Sequence, residues 1–362
     1  MSDPLVLSAG HQLRDRAHAL ADATVACEFS RHPQLRTRYG PAGRVKSRQE
    51  CVCHFSFLAD AVDFDSPALF SDYIAWAKVM LRCRGVHAED LERHLACMAD
   101  ALLEQMPAPV AAPAVAMLGT MRAALPDLPD LPDTLFTCLA PEQRLSGLAR
   151  EYLHTLLGGY RAAAARLVLD AADRGEPVRD LYLQVFQPAL REVGRLWQLD
   201  KINVAQEHFC SAATQVAMAQ LLPHALPAER HGHGVMVACV QGDLHDLGAR
   251  MVADFFEMAG WDAWFCGAST PHADLVQTLA GRTTDVLAIS VTLGKYLHEV
   301  QELIGLVRAH PRCARLRVLV GGHPFTVDPS LWQKLGADGT AGDAEAGVAL
   351  AGRWVAGKRL EG

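Results

Sequence analysis

The sequence lacks an uninterrupted apolar run long enough to span a membrane, and its N-terminus lacks a basic segment followed by an apolar stretch and a cleavage site. It also lacks positive net charge: the formal charge is -7, which argues against broad nucleic-acid binding. Hydrophobic residues make up 50% of its 362 residues and suffice for sizeable cores. We therefore expect a cytoplasmic, globular chain of two or three domains.

Cysteine pairs with the spacing of a zinc site are missing as well. The ten cysteines are scattered, and the closest pair, Cys51 and Cys53, has one intervening residue rather than the usual two or more. Reduced thiols, most of them buried, are therefore expected.

The most informative segment covers residues 243–248, after an apolar strand pattern over Val235–Val240. Ligands of open α/β sheets bind at the carboxyl ends of the strands, where this segment lies. A cobalt corrinoid would require a neutral imidazole, a carboxylate that fixes its tautomer, and a glycine that admits a bulky ligand. His245, Asp243 and Gly248 have these types, in the order Asp-x-His-x-x-Gly. Alone, the pattern is short enough to be a solvated turn that arose by chance.

Two further strand patterns end in residues that suit the same rim. The pattern over 285–290 ends in Ser290 and is followed by Thr292, and these small hydroxyl side chains suit a narrow slot. The pattern over 317–320 is followed by Gly321 and Gly322, which leave a ligand room against the main chain. Together with Asp-x-His-x-x-Gly, these motifs resemble the cobalamin-binding domain shared by methionine synthase, corrinoid methyl carriers and cobalamin photoreceptors.

This resemblance implies a role for each matched residue. His245 would be the lower axial ligand of cobalt in place of the cofactor's own dimethylbenzimidazole, and Asp243 would support His245. The displaced nucleotide tail would thread beside the sheet. The slot for that tail would be lined by Ser290, Thr292, Gly321 and Gly322.

The residues around these motifs, 227–362, alternate between strand and helix patterns. Strands are predicted near 235–240, 261–266, 285–291, 317–321 and 338–342. Thr270 and Pro271 predict an N-cap and a first helical position after the second strand. The pattern is typical of a flavodoxin-like Rossmann fold with a five-stranded sheet.

Residues 141–225 are helical in pattern throughout. Asn203 and Gln206 have the spacing of a capping box for the last helix. The predicted helices are Pro141–Leu157, Tyr160–Arg174, Val178–Trp197 and Val204–Leu222. This number of helices, joined by short loops, predicts a four-helix bundle.

Trp197 is followed, after nine residues, by Glu207 and His208. This spacing resembles the Trp-x9-Glu-His signature of CarH-type adenosylcobalamin photoreceptors, whose helical bundle caps the upper face of the corrin. The resemblance implies that Trp197 packs over the adenosyl group while Glu207 and His208 hydrogen-bond it. Light would break the cobalt–carbon bond and the cap would shift. The other interpretation is a core tryptophan with a polar pair at the rim of an amphipathic bundle.

One residue departs from that signature. CarH-type proteins have a histidine directly after the tryptophan, where this chain has Gln198. A light state with a second histidine from that position on cobalt is therefore not expected, which leaves His208 and water as alternative ligands of the vacant site. A corrinoid methyl carrier is the main rival, but it must expose its methyl group to a partner enzyme, so a sealed upper face would not help it.

Residues 1–130 have the pattern of an all-α domain. Breaks are predicted at Tyr39–Pro41, Asp63–Pro67 and Pro107–Pro113, and the repeated Leu-Pro-Asp at 125–133 is predicted to be the linker. The predicted helices are Gly10–Phe29, Val45–Val62, Pro67–Arg84, His87–Met106 and Ala112–Ala124. Their number and spacing are compatible with a globin-like fold.

His54 lies in the middle of an apolar helix of this domain, where it is either a satisfied core residue or a ligand of a tetrapyrrole. A globin-like domain joined to a CarH-type module resembles the photocobilins, which implies biliverdin beside cobalamin. Heme with His54 on iron is the alternative. Candidate thioether cysteines are Cys51, Cys53, Cys83 and Cys97, although attachment can also be noncovalent. Basic residues that either pair with propionates or form a solvated surface are Arg36, Arg38, Arg44, Lys46 and Arg48.

From the sequence we therefore expect a cytoplasmic light sensor rather than an enzyme, with adenosylcobalamin and biliverdin as chromophores. No DNA-binding module is expected in the first 140 residues, and no catalytic output domain after the last Rossmann helix. A light-dependent homo-oligomer, such as a dimer, would then be the output. The alternatives are a corrinoid methyl carrier of a methyltransferase system and a heme-based redox or gas sensor.

Overall fold

The computed structural model describes residues 8–129, 137–225 and 229–358. Within these ranges the chain forms two compact units. The first contains residues 8–129 together with Leu293–His298, and the second contains residues 137–292 and 299–358. The predicted domain limits at 130, 227 and 362, and residues 130–133 of the predicted linker, lie outside the described residues.

The first unit is built from five long helices. Apolar residues at helical spacing, such as Leu13, Ala17 and Leu20, are buried along one face of the first helix. The helices are α1 (Ala9–Arg31), α2 (Gln34–Asp63), α3 (Pro67–Cys83), α4 (Ala88–Gln105) and α5 (Ala108–Ala124). The helical N-terminal region is thus confirmed, while its globin-like character stays a prediction.

Two predicted breaks had different outcomes. Gly40 has a φ of +63° and interrupts α2, as predicted, but helical residues already begin at Gln34 rather than at Val45. The predicted break over Pro107–Pro113 is present only at its start: α4 ends at Gln105, but α5 begins at Ala108 and continues through Pro113. Pro113 removes a single helical N–H, and the face that buries Ala114, Met117 and Leu118 keeps the helix in place.

Asp60 is a buried carboxylate that holds Leu293–His298 in the first unit. It accepts hydrogen bonds from the backbone N–H of Leu297 at 3.0 Å and from Nδ1 of His298 at 3.0 Å. The guanidinium of Arg14 pairs with the same carboxylate and donates to Asp63 at 2.9 Å. A buried charge is stable only when it is paired in this way.

One described helix, Ala108–Asp127 including the turn that follows α5, is long and apolar enough to cross a membrane by length and composition alone. One of its faces is buried within the unit, and buried Lys78 donates to the carbonyls of Leu125 and Leu128 at 2.9 and 2.8 Å. These contacts are those of a core helix, and the cytoplasmic location stays a prediction.

The second unit begins with the four helical segments that the sequence predicts. They are α6 (Ser146–Leu157), α7 (Arg161–Asp173), α8 (Val178–Leu181) continued by α9 (Gln187–Gln198), and α10 (Val204–Leu221). The predicted start at Pro141 is wrong, because residues 141–145 form turns before Ser146. A π-helical turn over Tyr182–Phe186 joins α8 to α9. It precedes Pro188, which has no N–H for an α-helical bond.

The remainder of the second unit is the predicted Rossmann fold. Five parallel strands have the order β2-β1-β3-β4-β5, which is the flavodoxin-like order. The strands are β1 (Gly234–Cys239), β2 (Asp262–Phe265), β3 (Val286–Ser290), β4 (Arg317–Gly321) and β5 (Gly339–Thr340). The helices are α11 (Leu247–Met258), α12 (His272–Gly281), α13 (Leu297–Ala309), α14 (His323–Val327), α15 (Leu331–Lys334) and α16 (Ala344–Lys358). The predicted Thr270 cap is wrong: the N-cap is Pro271, and the Thr270 hydroxyl donates to the carbonyl of Cys266 at 3.4 Å.

Helix α11 joins the bundle to the sheet. Its Met251, Phe255 and Met258 belong to the same buried cluster as the bundle core. The hydroxyl of Tyr182 donates to the Asp254 carboxylate at 2.9 Å, in a place where burial raises the pKa of Asp254. This hydrogen bond satisfies a carboxylate that is almost fully buried.

Replacement of Tyr182 by Phe should therefore lower the free energy of unfolding by ~1–3 kcal/mol, because Asp254 loses a buried donor. Tyr160→Phe is the matched control, since its side chain is largely exposed. Urea unfolding measures both variants. Equal stability of the two variants would mean that the Tyr182 hydrogen bond makes no net contribution to the free energy of unfolding.

Candidate functional site

The loop between β1 and α11 is held in a fixed shape before its histidine. Gly242 has a φ of +86°, a conformation that favours glycine, and its N–H donates to the Ser269 hydroxyl at 3.0 Å. The N–H of Asp243 donates to the carbonyl of Val240 at 3.1 Å, and the carbonyl of Asp243 accepts from the N–H of Ser269 at 3.0 Å. The loop after β2 therefore supports the loop that carries His245.

The buried carboxylate of Asp243 organises the site. Its Oδ1 accepts from the backbone N–H of His245 at 3.0 Å and pairs with Nδ1 of His245 at 2.8 Å. Its Oδ2 accepts from the N–H of Thr292 at 2.7 Å. Burial alone would raise the pKa of Asp243, but these hydrogen bonds outweigh it and hold the pKa below its usual value.

An ionised Asp243 fixes the tautomer of His245. Because a carboxylate only accepts, Nδ1 carries the proton and Nε2 carries the lone pair that a metal requires. The His245 side chain is 56% exposed, and neighbouring Leu244 is 73% exposed. The imidazole is thus anchored at one nitrogen and presented at the surface by the other, which fits an axial ligand of cobalt.

The glycines near this histidine serve two different purposes. Gly322 has a φ of +120°, and a Cβ there would lie 1.8 Å from the carbonyl oxygen of Val291, so the backbone itself requires glycine. A Cβ at Gly248 would meet nothing within 4 Å, and one at Gly321 would come no nearer than 3.7 Å to the Ala341 oxygen. Packing within the protein does not explain these two glycines, and their role toward a ligand stays a prediction.

Strand pairing brings the predicted slot residues together. Ser290 at the end of β3 pairs in register with Gly321 at the end of β4. The N–H of Val291 donates to the carbonyl of Gly321 at 3.0 Å, just before Thr292 contacts Asp243. The residues assigned to the slot therefore share one edge of the sheet with the histidine loop.

Helix α10 connects this edge to the predicted cap. Gln215 donates through Nε2 to the carboxylate of Asp246, the residue after His245, at 3.3 Å. Glu207 accepts from the hydroxyl of Ser211 at 2.9 Å and lies on the same helix face, eight residues before Gln215. At ~1.5 Å per residue, Glu207 lies ~12 Å farther along the helix axis than Gln215. Helix α10 therefore contacts the histidine loop near Gln215 and extends away from that loop toward Glu207.

The other cap residues differ in their surroundings. His208 is largely exposed, with Nε2 3.4 Å from Oε2 of Glu207. Trp197 is half-buried and packs against the bundle core, and Gln198 beside it is buried. Part of the Trp197 side chain therefore packs in the bundle core, as the alternative interpretation expects. Glu207 and His208 lie where a ligand can reach them.

His54 of the first unit is enclosed by protein. Its Nδ1 lies 2.8 Å from the Tyr73 hydroxyl, and its ring centroid is 5.4 Å from that of His94. Burial, with a smaller contribution from His94, lowers the pKa of His54 to about 3, so it is neutral near pH 7. His94 in turn lies 3.1 Å from buried Glu28, and sequence reasoning missed this pair because the two residues are 66 positions apart. No motif spacing identifies such a pair.

The other tetrapyrrole candidates either contact protein groups of this unit or lie at its surface. Sγ of Cys97 lies 2.6 Å from Sγ of Cys27, Cys51 is buried, and Cys53 and Cys83 are half-buried. Two of the basic residues form ion pairs in this unit, Arg38 with Asp90 and Arg48 with Asp22, while Arg36, Arg44 and Lys46 are exposed. The bilin and heme assignments therefore stay predictions.

Two regions of the chain match known domain families. Residues 234–351 match the B12 binding domain, and residues 148–222 match a second B12 binding domain model. The first match covers the sheet with the histidine loop, and the second covers the bundle. These domains define a cobalamin-binding protein, with a cobalamin or other corrinoid as its cofactor.

Two kinds of relatives share these regions. Dimethylamine corrinoid protein 3 of Methanosarcina acetivorans is 26% identical over 205 residues, which cover 55% of this chain and 94% of that protein. The HTH-type transcriptional repressor CarH of Myxococcus xanthus is 30% identical over 156 residues, which cover 43% of this chain and only 51% of the repressor. Among solved structures, the monomethylamine corrinoid protein of Methanosarcina barkeri has a TM-score of 0.51 at 20% identity, covers 57% of this chain and 98% of its own, and shows a shared fold.

Asp243→Asn should weaken cobalamin binding by ~10–100-fold, because an amide no longer fixes the tautomer and basicity of His245. Asp274→Asn, at an exposed position in α12, is the control and should bind as the wild type does. Equilibrium dialysis against hydroxocobalamin measures both. Unchanged affinity in the Asp243 variant would remove Asp243 from the site.

The buried, neutral His54 makes stability depend on pH. The unfolded chain takes up this proton near pH 6.5, whereas the folded chain does so only near 3, so stability falls as the pH drops through this interval. His54→Gln should reduce the loss of melting temperature between about pH 7 and about pH 5. His18→Gln, at an exposed site on α1, should leave the loss unchanged. If the melting temperatures of wild type, His54→Gln and His18→Gln fell equally with pH, a neutral His54 would be contradicted.

Proposed function

We propose that this protein is a light sensor that binds adenosylcobalamin between its helical bundle and its Rossmann fold. The observation that supports this most is the face of α10 that carries Glu207, Ser211 and Gln215. One end of this face contacts the histidine loop at Asp246, and the other end lies ~12 Å farther along the helix. A helix in this position would bring residues from both of its ends to a cofactor held by His245.

On the lower side, the hydrogen bonds support the proposed roles. Asp243 holds the proton of His245 at Nδ1 and thereby directs the Nε2 lone pair outward. Ser290, Thr292, Gly321 and Gly322 would hold the displaced nucleotide tail along this edge of the sheet. Gly248 keeps the start of α11 open on the ligand side.

On the upper side, the cap residues shield the adenosyl group. Trp197 offers an aromatic surface at the end of α9, while Glu207 and His208 offer an acceptor and a donor at the start of α10. Adenosylcobalamin, when bound, supplies a cobalt–carbon bond that light breaks. Contacts of Trp197, Glu207 and His208 with the upper ligand would hold the bundle in one arrangement, and the bundle could repack without them. Gln198 gives this chain no histidine ligand at that position.

The signal then takes the form of a change in domain arrangement or oligomeric state, without catalytic turnover. A light-dependent dimer is the form that we propose. We further assign biliverdin to the first unit, where His54, Tyr73 and His94 form a buried polar group within the helical core.

A second function, a corrinoid methyl carrier, is favoured by the comparison with dimethylamine corrinoid protein 3, which this chain matches over 94% of that protein's length. Asp243 and His245 serve a carrier equally well. The two functions differ at the upper face, where a carrier needs an open approach to cobalt.

One experiment separates the candidates. The full chain is loaded in darkness with adenosylcobalamin, with and without biliverdin, and absorption spectra and size-exclusion profiles are recorded before and after green light. We expect loss of the cobalt–carbon spectrum and a shift in elution, and His245→Ala should change the spectrum of axial ligation. Spectra and profiles that survive illumination, together with turnover by a methyltransferase, would establish the carrier.

The upper face can be tested by ligand preference. Trp197→Ala should lower the affinity for adenosylcobalamin by roughly tenfold while affinity for methylcobalamin stays nearly constant, because only the adenosyl group is large enough to pack on the indole. Trp332→Ala, a substitution in α15, is the control and should keep the wild-type preference. Equal losses for both cofactors in the Trp197 variant would assign Trp197 to the bundle core alone.

A further inference from the structure

His272, Glu299 and Glu302 form a cluster in the second unit that neither the cobalamin site nor the matched domains explain. His272 is the first residue of α12, which follows β2. Glu299 and Glu302 lie near the start of α13, which follows β3. Three positions apart on a helix, the two carboxylates share a face that points to His272.

The distances within the cluster are those of a ligand set. Nε2 of His272 lies 3.4 Å from Oε2 of Glu299, and Nδ1 of His272 lies 4.0 Å from Oε1 of Glu302. One candidate ligand atom from each side chain can be chosen such that all three lie within 4.8 Å of one another. A small cation can therefore contact all three residues after a modest rotation of side chains.

The imidazole of His272 is the strongest sign of a missing ligand. Its side chain is only 6% exposed, and Nε2 is buried without a hydrogen-bond partner among the described residues. The nearby Glu299 oxygen is close enough, but its direction does not satisfy the geometry of a hydrogen bond. A buried polar atom without a partner costs ~1–3 kcal/mol, so native proteins normally supply one.

The 3.4 Å separation between Nε2 and the Glu299 oxygen suits a tetrahedral ion. Two ligands ~2.1 Å from zinc at the tetrahedral angle lie ~3.4 Å apart. A neutral imidazole nitrogen and carboxylate oxygens are donors that zinc accepts, and a set with more oxygen alone would favour magnesium or calcium. The Glu302 side chain is 64% exposed and has room to move onto the ion.

We propose that His272, Glu299 and Glu302 bind a divalent transition-metal ion of the zinc type, with water in the fourth position. The ion is separate from cobalt, and it crosslinks the first residue of α12 to the first turns of α13. Ser269, three residues before His272, donates to the carbonyl of Asp243. The metal therefore also steadies the loop that supports the cobalamin histidine.

The competing explanation is a protonated His272 that forms ion pairs with both carboxylates and binds no metal. Zinc binding by the cobalamin-loaded full chain distinguishes the two. Zinc stoichiometry and affinity are measured by equilibrium dialysis with a competing chelator on wild type, His272→Gln, Glu299→Gln and Glu302→Gln. His233→Gln is the matched control, because His233 also pairs with a carboxylate, Asp285, at 3.1 Å in the same unit.

We expect wild type and His233→Gln to bind one equivalent of zinc more than His272→Gln and Glu299→Gln. Glu302→Gln should keep this equivalent with an affinity at least ~10-fold weaker, since removal of a ligand costs at least as much as removal of its support. Thiol-bound zinc is common to all variants and cancels in the difference. Equal stoichiometry in wild type, His272→Gln and Glu299→Gln would overturn the proposal.

Thermal unfolding supplies a readout that does not depend on counting ions. Zinc should raise the melting temperature of wild type and His233→Gln, because an ion that binds only the folded state stabilises it. Zinc should leave the melting temperature of Glu299→Gln unchanged. If His272→Gln does not fold, Glu299→Gln alone tests whether the cluster binds zinc. A wild-type melting temperature that zinc does not raise would leave the ion-pair explanation.

Discussion

The buried carboxylate of Asp243 is the group on which the cofactor edge of the second unit depends. Its two oxygens bind the backbone and ring of His245 and the backbone of Thr292, and its own carbonyl accepts from Ser269. Loops after β1, β2 and β3 therefore meet at one residue. Because a buried charge must keep its partners, these loops cannot move independently of each other. The orientation of His245 is a property of three strand ends rather than of its own loop.

Helix α11 carries this constraint to the bundle. It begins two residues after His245, and its opposite side holds Met251 and Phe255 in the bundle core. Polar contacts at both ends, Gln215 with Asp246 and Tyr182 with Asp254, fix the bundle against this one helix. A change in how the bundle packs must therefore alter either these hydrogen bonds or the burial of Asp254. That gives the cap a mechanical link to the histidine loop within a single unit.

The sequence was sufficient wherever the cause of structure is local. The alternation of strand patterns with helix patterns predicted the five strands and the flavodoxin-like sheet. The capping box of Asn203 with Gln206 is also present as predicted. Contacts between distant residues were not predictable. The N–H of Thr292 reaches Asp243 across 49 positions, and the N–H of Leu297 reaches Asp60 across 237. The same limit explains Pro113, whose helix is kept by tertiary burial although its local signal is a break.

The lower face of the site does not distinguish a sensor from a carrier, because both require an imidazole with a fixed tautomer and an open lone pair. The distinction lies with residues that a carrier has no reason to keep. Glu207 and His208 are polar, reachable and ~10–12 Å along α10 from the histidine loop, and their side chains pair with Ser211 and with each other. Trp197, by contrast, satisfies part of its surface in the core. The case for a photolabile upper ligand therefore depends more on the pair at the start of α10 than on the indole.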